Sequence, residues 1–237
     1  MKIFGNGFIA SHLKKLKTKK NIYIYAAGVS NSNNKKNHHY LREISTIKKI
    51  IKKIDQNVTF VYISSLSVEN KNIQNNKYIK NKLKIEKIVK NNFINYLIIR
   101  LPQVVGRSKN KHTLTNSIVH NIKKNKRFLL WKNAKRNILD IKDIIKILNK
   151  YFRKDLNVKK TLNIYNPRSS SVIFILRTLG FILKKEVKFK VVDRENKNII
   201  LSNIKNNTKL PKKLYTNIDN KNYVTSVLKR YYKWKFQ

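Results

Sequence analysis

The chain carries no cysteine, three prolines, five glycines and eleven acidic residues among its 237 positions. Without cysteine there is no disulfide framework and no thiolate chemistry. No internal repeat stands out, and the few glycines and prolines punctuate the sequence sparsely. Long apolar runs are missing as well. The most apolar stretch, "SSSVIFILRTLGFIL", is interrupted by Arg177 and is too short and too broken to span a bilayer. A signal-peptide pattern is not expected either, because Phe8-Ile9-Ala10 is followed at once by Lys14, Lys15 and Lys17. The expectation is a soluble, cytoplasmic protein with no membrane partner.

Acidic charge is the scarcest commodity. Against eleven Asp and Glu stand 55 Lys and Arg, a formal net charge of +44. Such a field attracts anions, phosphorylated substrates included. A nucleic-acid partner would ask for a contiguous basic face with interleaved aromatics. Here lysine recurs in nearly every segment from Lys2 to Lys235, and asparagine is abundant as well, as in "NSNNKKN" and "NKNIQNNK". That dispersal matches an AT-biased coding sequence and speaks against nucleic acid. What is present is a core's worth of apolar residues: 41% of the chain, with 10 Phe, 12 Tyr and 2 Trp, more than a disordered chain carries. The length suits one substantial domain.

Strand and helix patterns alternate. Lys2–Phe4, Tyr23–Ala27, Thr59–Ile63 and Leu97–Leu101 are dense in apolar residues and predict four adjacent parallel strands. Between them, helices are predicted over Gly7–Lys17, Tyr40–Ile54 and Tyr78–Lys90, the second with Leu41, Ile44, Ile47, Ile50, Ile51 and Ile54 on its apolar side. The fold class is therefore α/β, a parallel sheet with helices on both faces. Farther along, helices are expected over Thr113–Lys124, Leu139–Tyr151, Ser169–Lys184 with a Ser N-cap, and Tyr223–Trp234. Strands are expected at Phe128–Trp131, "KTLNIYNP" and "EVKFKVVD", and an irregular polar segment at Asn196–Lys213. Asp140 and Asp143 read as helix-start residues, and His38 and His39 as surface residues rather than metal ligands.

Two of the five glycines fall at once in "GNGFIA", where Gly5, Gly7 and Ala10 spell G-x-G-x-x-A between a strand and a helix. In that context the first glycine permits a tight turn and the second lets backbone approach a pyrophosphate at the helix start. The pattern fits equally a helix that merely begins after a tight turn. A second constellation is "VYISSLSV", ending a strand in Ser64-Ser65, followed by Tyr78 and Lys82 four apart on a helix. Residues i and i+4 share a face, and a lysine ammonium there can stabilise a phenolate that exchanges a proton with a sugar hydroxyl. A serine at the neighbouring strand end can hold that hydroxyl. In a lysine-rich chain a Y-x-x-x-K also arises by chance, so only the ordered combination is informative.

In order, "GNGFIASH", "IYIYAAGVS", "FVYISSLSV", "YIKNK", "IIRLPQVVG", "RNILDIKDI" and "LNIYNP" resemble the extended short-chain dehydrogenases/reductases, the NAD-dependent epimerase/dehydratase group that acts on nucleotide sugars. The likeness runs from residue 3 to about residue 166. It implies a Rossmann-like sheet, NAD or NADP as cofactor and a nucleotide-sugar substrate, with surface polysaccharide biosynthesis as the setting and a homodimer as one option. By the same likeness Ser65 is the catalytic Ser/Thr, Tyr78 the acid/base and Lys82 its modulator. Gly5, Gly7, Phe8, Ile9, Ala26, Ala27, Gly28, Ser64, Tyr78, Lys82 and Pro102 would line the cofactor. Gln103 would contact substrate, and Arg136 would grip its diphosphate, a task suited to a planar, permanently charged fork.

The sequence departs from that family in one respect. Only "KTKK" separates Leu16 from Asn21, where relatives have two more strands. The sheet is expected to be truncated there, and the residue that distinguishes NAD from NADP falls in the missing piece. The whole is expected to be one compact unit: residues 1–105 with about 136–166 as dinucleotide-binding core, and 106–135 with 167–237 as a smaller substrate-binding part. Two other readings stand beside the enzyme: a non-catalytic dinucleotide-binding relative, and a basic nucleic-acid-binding protein.

Overall fold

The computed structural model describes residues 1–18, 21–32, 34, 36–55, 57–108, 110–111, 113–153, 159–193, 204, 209 and 218–233. In chain order the elements begin with β1 (Lys2–Phe4), α1 (Phe8–Leu13), β2 (Ile22–Tyr25), α2 (Asn37–Ile51), β3 (Thr59–Ser65), α3 (Lys77–Asn92), β4 (Asn95–Leu101), β5 (Gln103–Val105) and α4 (Leu114–Lys123). There follow β6 (Phe128–Trp131), β7 (Lys135–Arg136), β8 (Ile138–Asp140), α5 (Ile141–Tyr151), β9 (Lys159–Asn163), β10 (Ser170–Ser171), α6 (Val172–Leu183), β11 (Phe189–Val192) and α7 (Tyr223–Tyr232).

The four predicted strands do lie side by side and parallel, with β9 as a fifth, in the order β1-β2-β3-β4-β9. Their two-residue side-chain period sorts the core into two layers. Val61, Ile63, Leu97 and Ile99 face one way, into a cluster with Leu13 of α1 and the apolar faces of α4, α5, α6 and α7. Phe60, Tyr62 and Ile98 face the other way, against Ile47 and Ile51 of α2 and Ile85 and Val89 of α3. In α6, Val172, Ile175, Leu176, Leu179 and Leu183 are all buried. Each contributes roughly 1.5–3 kcal/mol over an exposed position.

This sorting has a topological consequence. The strands step in one direction from β1 to β4, yet α1 lies on the opposite face from α2 and α3. The β1–α1–β2 connection therefore has the opposite hand to the two that follow it. Right-handed crossovers are the rule, so the β1 unit is the exception, as expected where intervening strands are missing between a helix on one face and a strand that belongs with helices on the other.

Several expected boundaries shift. Helix α1 ends at Leu13, because Lys15 and Leu16 turn back to His12 and Leu13 carbonyls. Ile138–Asp140 is strand rather than helix, paired in parallel with Gln103–Val105, and Asp140 caps α5 by accepting from the Lys142 N–H at 2.8 Å. Ser171, not Ser169, caps α6. On α2 the buried residues are Tyr40, Glu43, Ile47 and Ile51, while Leu41, expected on the apolar side, is exposed. Residues Asn196–Lys213 lie outside the described residues except Ile204 and Lys209, as does Trp234. Among the described residues no helix is long and apolar enough to cross a membrane.

Candidate functional site

The helices change faces between β1 and β2, and the carboxyl ends of strands at such a switch are the place where open α/β sheets take ligands. Two glycine-bearing loops meet there. Gly5 has φ +127°, and a Cβ on it would stand 2.7 Å from the Ala26 carbonyl oxygen, so both conformation and packing demand glycine. Gly7 is different. Its φ is −73° and a Cβ would meet nothing within 4 Å. Neither backbone strain nor packing within the chain requires glycine there. Phe8 and Ile9 turn their side chains to the core, and the Phe8 ring packs so closely on Gly106 that a Cβ there would lie 2.6 Å from it. At six residues, α1 adds little dipole; what the turn presents is backbone.

Beside this turn, at the end of β3 and the start of α3, sits the second constellation. Asn76 caps α3 by accepting from the Tyr78 N–H at 2.8 Å, which fixes the helix start and so the position of Tyr78. The Tyr78 ring is almost buried among Tyr40, Val68 and Ile79, and among the described residues no group hydrogen-bonds its hydroxyl. Ser65 Oγ accepts from the Ser67 N–H at 3.2 Å, which leaves its own O–H to donate. Ser64 has its proton committed: its hydroxyl donates to Glu86 Oε1 at 2.7 Å.

Lys82 is not where a free modulator would be. Its Nζ lies 3.0 Å from Glu43 Oε1 in a pair whose side chains are 4% and 2% exposed. The same carboxylate accepts from the Val29 N–H and Asn81 Nδ2, each at 3.0 Å, and from the Tyr62 hydroxyl at 3.4 Å. The ammonium stands 5.6 Å from the Tyr78 ring centroid and 5.5 Å from that of Tyr62. Burial, then the Glu43 charge, holds the Tyr62 hydroxyl well above its ordinary pKa. Gly28 gains a role of its own here: a Cβ on it would meet Lys82 Nζ at 2.3 Å and Glu43 Oε1 at 2.6 Å. Its missing side chain makes room for the ion pair. Glu43 was legible only as an acid at the i+3 position from Tyr40 on a helix whose other buried members are Ile47 and Ile51.

A second buried network ties the strand ends together. Arg100 forks onto Glu86, through Nε at 2.8 Å and Nη2 at 2.5 Å, and reaches Glu69 through Nη1 at 2.6 Å. Asn163 of β9 donates to the same Glu69 at 2.8 Å. Pro102 follows Leu101, the register partner of Ser65. The Gln103 N–H donates to the Asn137 carbonyl at 3.1 Å, so Gln103 and Arg136 lie on neighbouring segments. Arg136 Nη1 donates to the Lys135 carbonyl at 2.8 Å, and among the described residues no carboxylate pairs with it. Burial lowers its pKa from the usual guanidinium value. Ala26 and Ala27 border the Gly5 turn.

The model of the NAD dependent epimerase/dehydratase family matches residues 64–165. No curated protein matches the chain in sequence. Among solved structures, RMD from Pseudomonas aeruginosa complexed with NADPH has a TM-score of 0.66 at 13% identity, over 96% of this chain and 96% of that one. UDP-glucuronic acid 4-epimerase from Bacillus cereus, in complex with UDP-glucuronic acid and NAD, has 0.67 at 17% identity, over 97% and 78%. dTDP-glucose 4,6-dehydratase from Bacillus anthracis, in complex with NAD, has 0.66 at 14% identity, over 90% and 72%. At these identities the likeness is one of fold. Ser64 through Tyr165 thus carry the sequence pattern of the NAD dependent epimerase/dehydratase family, on the Rossmann-like α/β fold that the chain shares with those enzymes.

Proposed function

We propose that the chain is an NAD(P)-linked enzyme of the epimerase, dehydratase or reductase kind, acting on a nucleotide sugar. The observation that supports this reading is that the Gly5–Gly7 turn, the Ala26–Gly28 loop and Ser65 follow the carboxyl ends of the adjacent parallel strands β1, β2 and β3, with Gly5 against Ala26, Gly28 against Lys82 and Lys82 beside Tyr78. Gly7 is compatible with a dinucleotide, because a Cβ there would meet nothing within 4 Å and its absence leaves the backbone at the helix start open to a pyrophosphate. When bound, the nicotinamide supplies hydride acceptance and return. Ser65 donates a hydrogen bond to the reacting sugar oxygen. Tyr78 moves that oxygen's proton, and Lys82, 5.6 Å from the Tyr78 ring, keeps a positive charge beside the phenol. Gln103 contacts the sugar, and Arg136, with no carboxylate of its own, holds the diphosphate by charge and geometry. The cytoplasm, a place in surface polysaccharide synthesis and a homodimer complete the reading.

The decisive test is mass spectrometry of the purified protein for NAD(H) or NADP(H), then turnover on a panel of nucleotide sugars. Tyr78→Phe is expected to fold normally and to slow turnover by roughly 10²–10⁴. A second reading, a dinucleotide-binding relative without catalysis, is favoured by one observation: the Lys82 charge is already paired with Glu43. It predicts bound dinucleotide with no turnover on any sugar, and the same dinucleotide affinity in Tyr78→Phe.

A further inference from the structure

We propose that this chain seats only the nicotinamide–pyrophosphate half of a dinucleotide, leaving the adenosine half without a protein floor. The inference rests on the proposed binding of a dinucleotide. In a doubly wound sheet a dinucleotide straddles the switch point, with its halves over strands on either side. Here the switch lies between β1 and β2. On the β2 side four strands follow, and every candidate of the reacting half lies there: Gly28, Ser65, Tyr78 and Lys82. On the other side β1 is the sheet edge, three residues long, and among the described residues no strand lies beyond it.

The acidic group that would read an adenosine ribose is missing from this part of the chain. In sheets of this kind that reader is a carboxylate about 20 residues beyond the glycine turn, at the end of the strand next to β1 on the adenosine side. In this chain the residues at that distance are Ala26, Ala27 and Gly28. They follow β2, on the nicotinamide side of β1. No acidic residue occurs before Glu43 in the entire sequence, and Glu43 is consumed by Lys82, Asn81 and Val29. Among the described residues between Leu13 and Ile22 no helix or strand precedes β2, the strand beside β1. The turn at Gly5–Gly7 can still accept phosphate.

The affinity of reduced nicotinamide mononucleotide should therefore approach that of NADH. Fluorescence titration of the full chain with NADH, reduced nicotinamide mononucleotide, ADP-ribose and AMP tests this. The expected result is a mononucleotide Kd within about tenfold of the NADH value. ADP-ribose should bind more weakly than the mononucleotide, and AMP should fail to displace NADH. A seated adenosine would add roughly 10²-fold or more, so NADH binding over 10²-fold tighter than the mononucleotide, or displacement by AMP, overturns the half-site. Failure of both NADH and the mononucleotide to bind overturns the dinucleotide reading, and this inference with it. Gly7→Val provides the control: it should abolish binding of both ligands, and loss of NADH binding alone would also refute the shared half-site.

Discussion

Replacing Lys82 with methionine keeps most of the apolar stem and removes the ammonium, which strands the carboxylate of Glu43 in a site where that side chain is 2% exposed. Losing one partner of a buried ion pair costs about 3–5 kcal/mol, because the remaining charge is left uncompensated. Three hydrogen bonds soften the loss, from the Val29 N–H, Asn81 Nδ2 and the Tyr62 hydroxyl. The lower end of the range, ~3 kcal/mol, is therefore expected. At about 2–4 °C per kcal/mol for a domain of this size, Tm should fall by roughly 6–12 °C. Adding Glu43→Gln to Lys82→Met removes the stranded charge. The amide oxygen of the new glutamine can still accept from the Val29 N–H and Asn81 Nδ2, which both donate to Glu43 Oε2 in the wild type. The double variant should recover most of the loss and be more stable than Lys82→Met alone. Urea denaturation and thermal circular dichroism of the four proteins decide the matter. If Lys82→Met matches the wild type, or if the double variant is less stable than Lys82→Met, the buried pair does not do what its geometry says.

The two turn glycines should separate. Gly5→Ala, at φ +127° and 2.7 Å from the Ala26 carbonyl, should cost about 1–3 kcal/mol in urea denaturation. Gly7→Ala, in open space with φ −73°, should stay within about 0.5 kcal/mol of wild type yet lose dinucleotide affinity by calorimetry. Arg136→Ala should leave Tm unchanged or slightly raised, since burial without a carboxylate partner disfavours its charge, while weakening a nucleotide diphosphate in a titration. Burial is the main cause that raises the pKa of Tyr25, Tyr62, Tyr223 and Tyr231. The unfolded chain releases these protons near its ordinary value of about 10 and the folded chain does not, so their stabilising contribution is complete below that pH and declines above it. Tyrosinate absorbance at pH 11 should accordingly be lower for the folded protein than for the same protein in urea, and equal absorbance would refute it.

The central parallel strands were legible because they are largely buried on both faces and read as dense apolar runs: all of Thr59–Ile63 is buried, and in β4 only Arg100 interrupts the run from Leu97 to Leu101, while the edge strand β1 was legible from the glycine turn that follows it. The short β8 was not. Ile138–Asp140 has the composition of a helix start, and only its partner Gln103–Val105, distant in sequence, makes it a strand. The apolar side of α2 was misplaced for a related reason. Isoleucines are spread around that helix, and the residue that fixes which side is buried is Glu43, an acid that a hydrophobic pattern discards. The positions of Tyr78 and Lys82 on one helical face followed from spacing, whereas the capture of Lys82 depended on a helix 39 residues away and could not be read locally. Ser64 and Ser65 are neighbours of the same type, and strand alternation alone separates them: Ser64 turns to Glu86 on the α3 face, and Ser65 caps the turn at Ser67.

The scarcity of acid explains why these networks matter beyond their own energies. In a chain of net charge +44, long-range repulsion among solvated lysines works against the compact state and does not choose between arrangements. The few buried and half-buried carboxylates do choose. Glu43 joins the loop after β2 to α3, and Glu86 and Glu69 bring Arg100 of β4 to α3 and to Asn163 of β9. Asp140 receives Arg230 and Tyr231 of α7, and Asp143 receives Tyr223 of the same helix. Each acid lies where a strand end or a helix start must be held against a partner remote in sequence, and three of them, Glu43, Glu69 and Glu86, hold the carboxyl edge of the sheet around the candidate site. Polar pairs of this kind favour one geometry because any other leaves a buried charge unpaired. These five acids, unlike the exposed Asp55, Glu186, Asp193 and Asp219, thus sit at junctions between elements remote in sequence. The carboxyl edge of β2, β3 and β4 is the densest of these regions.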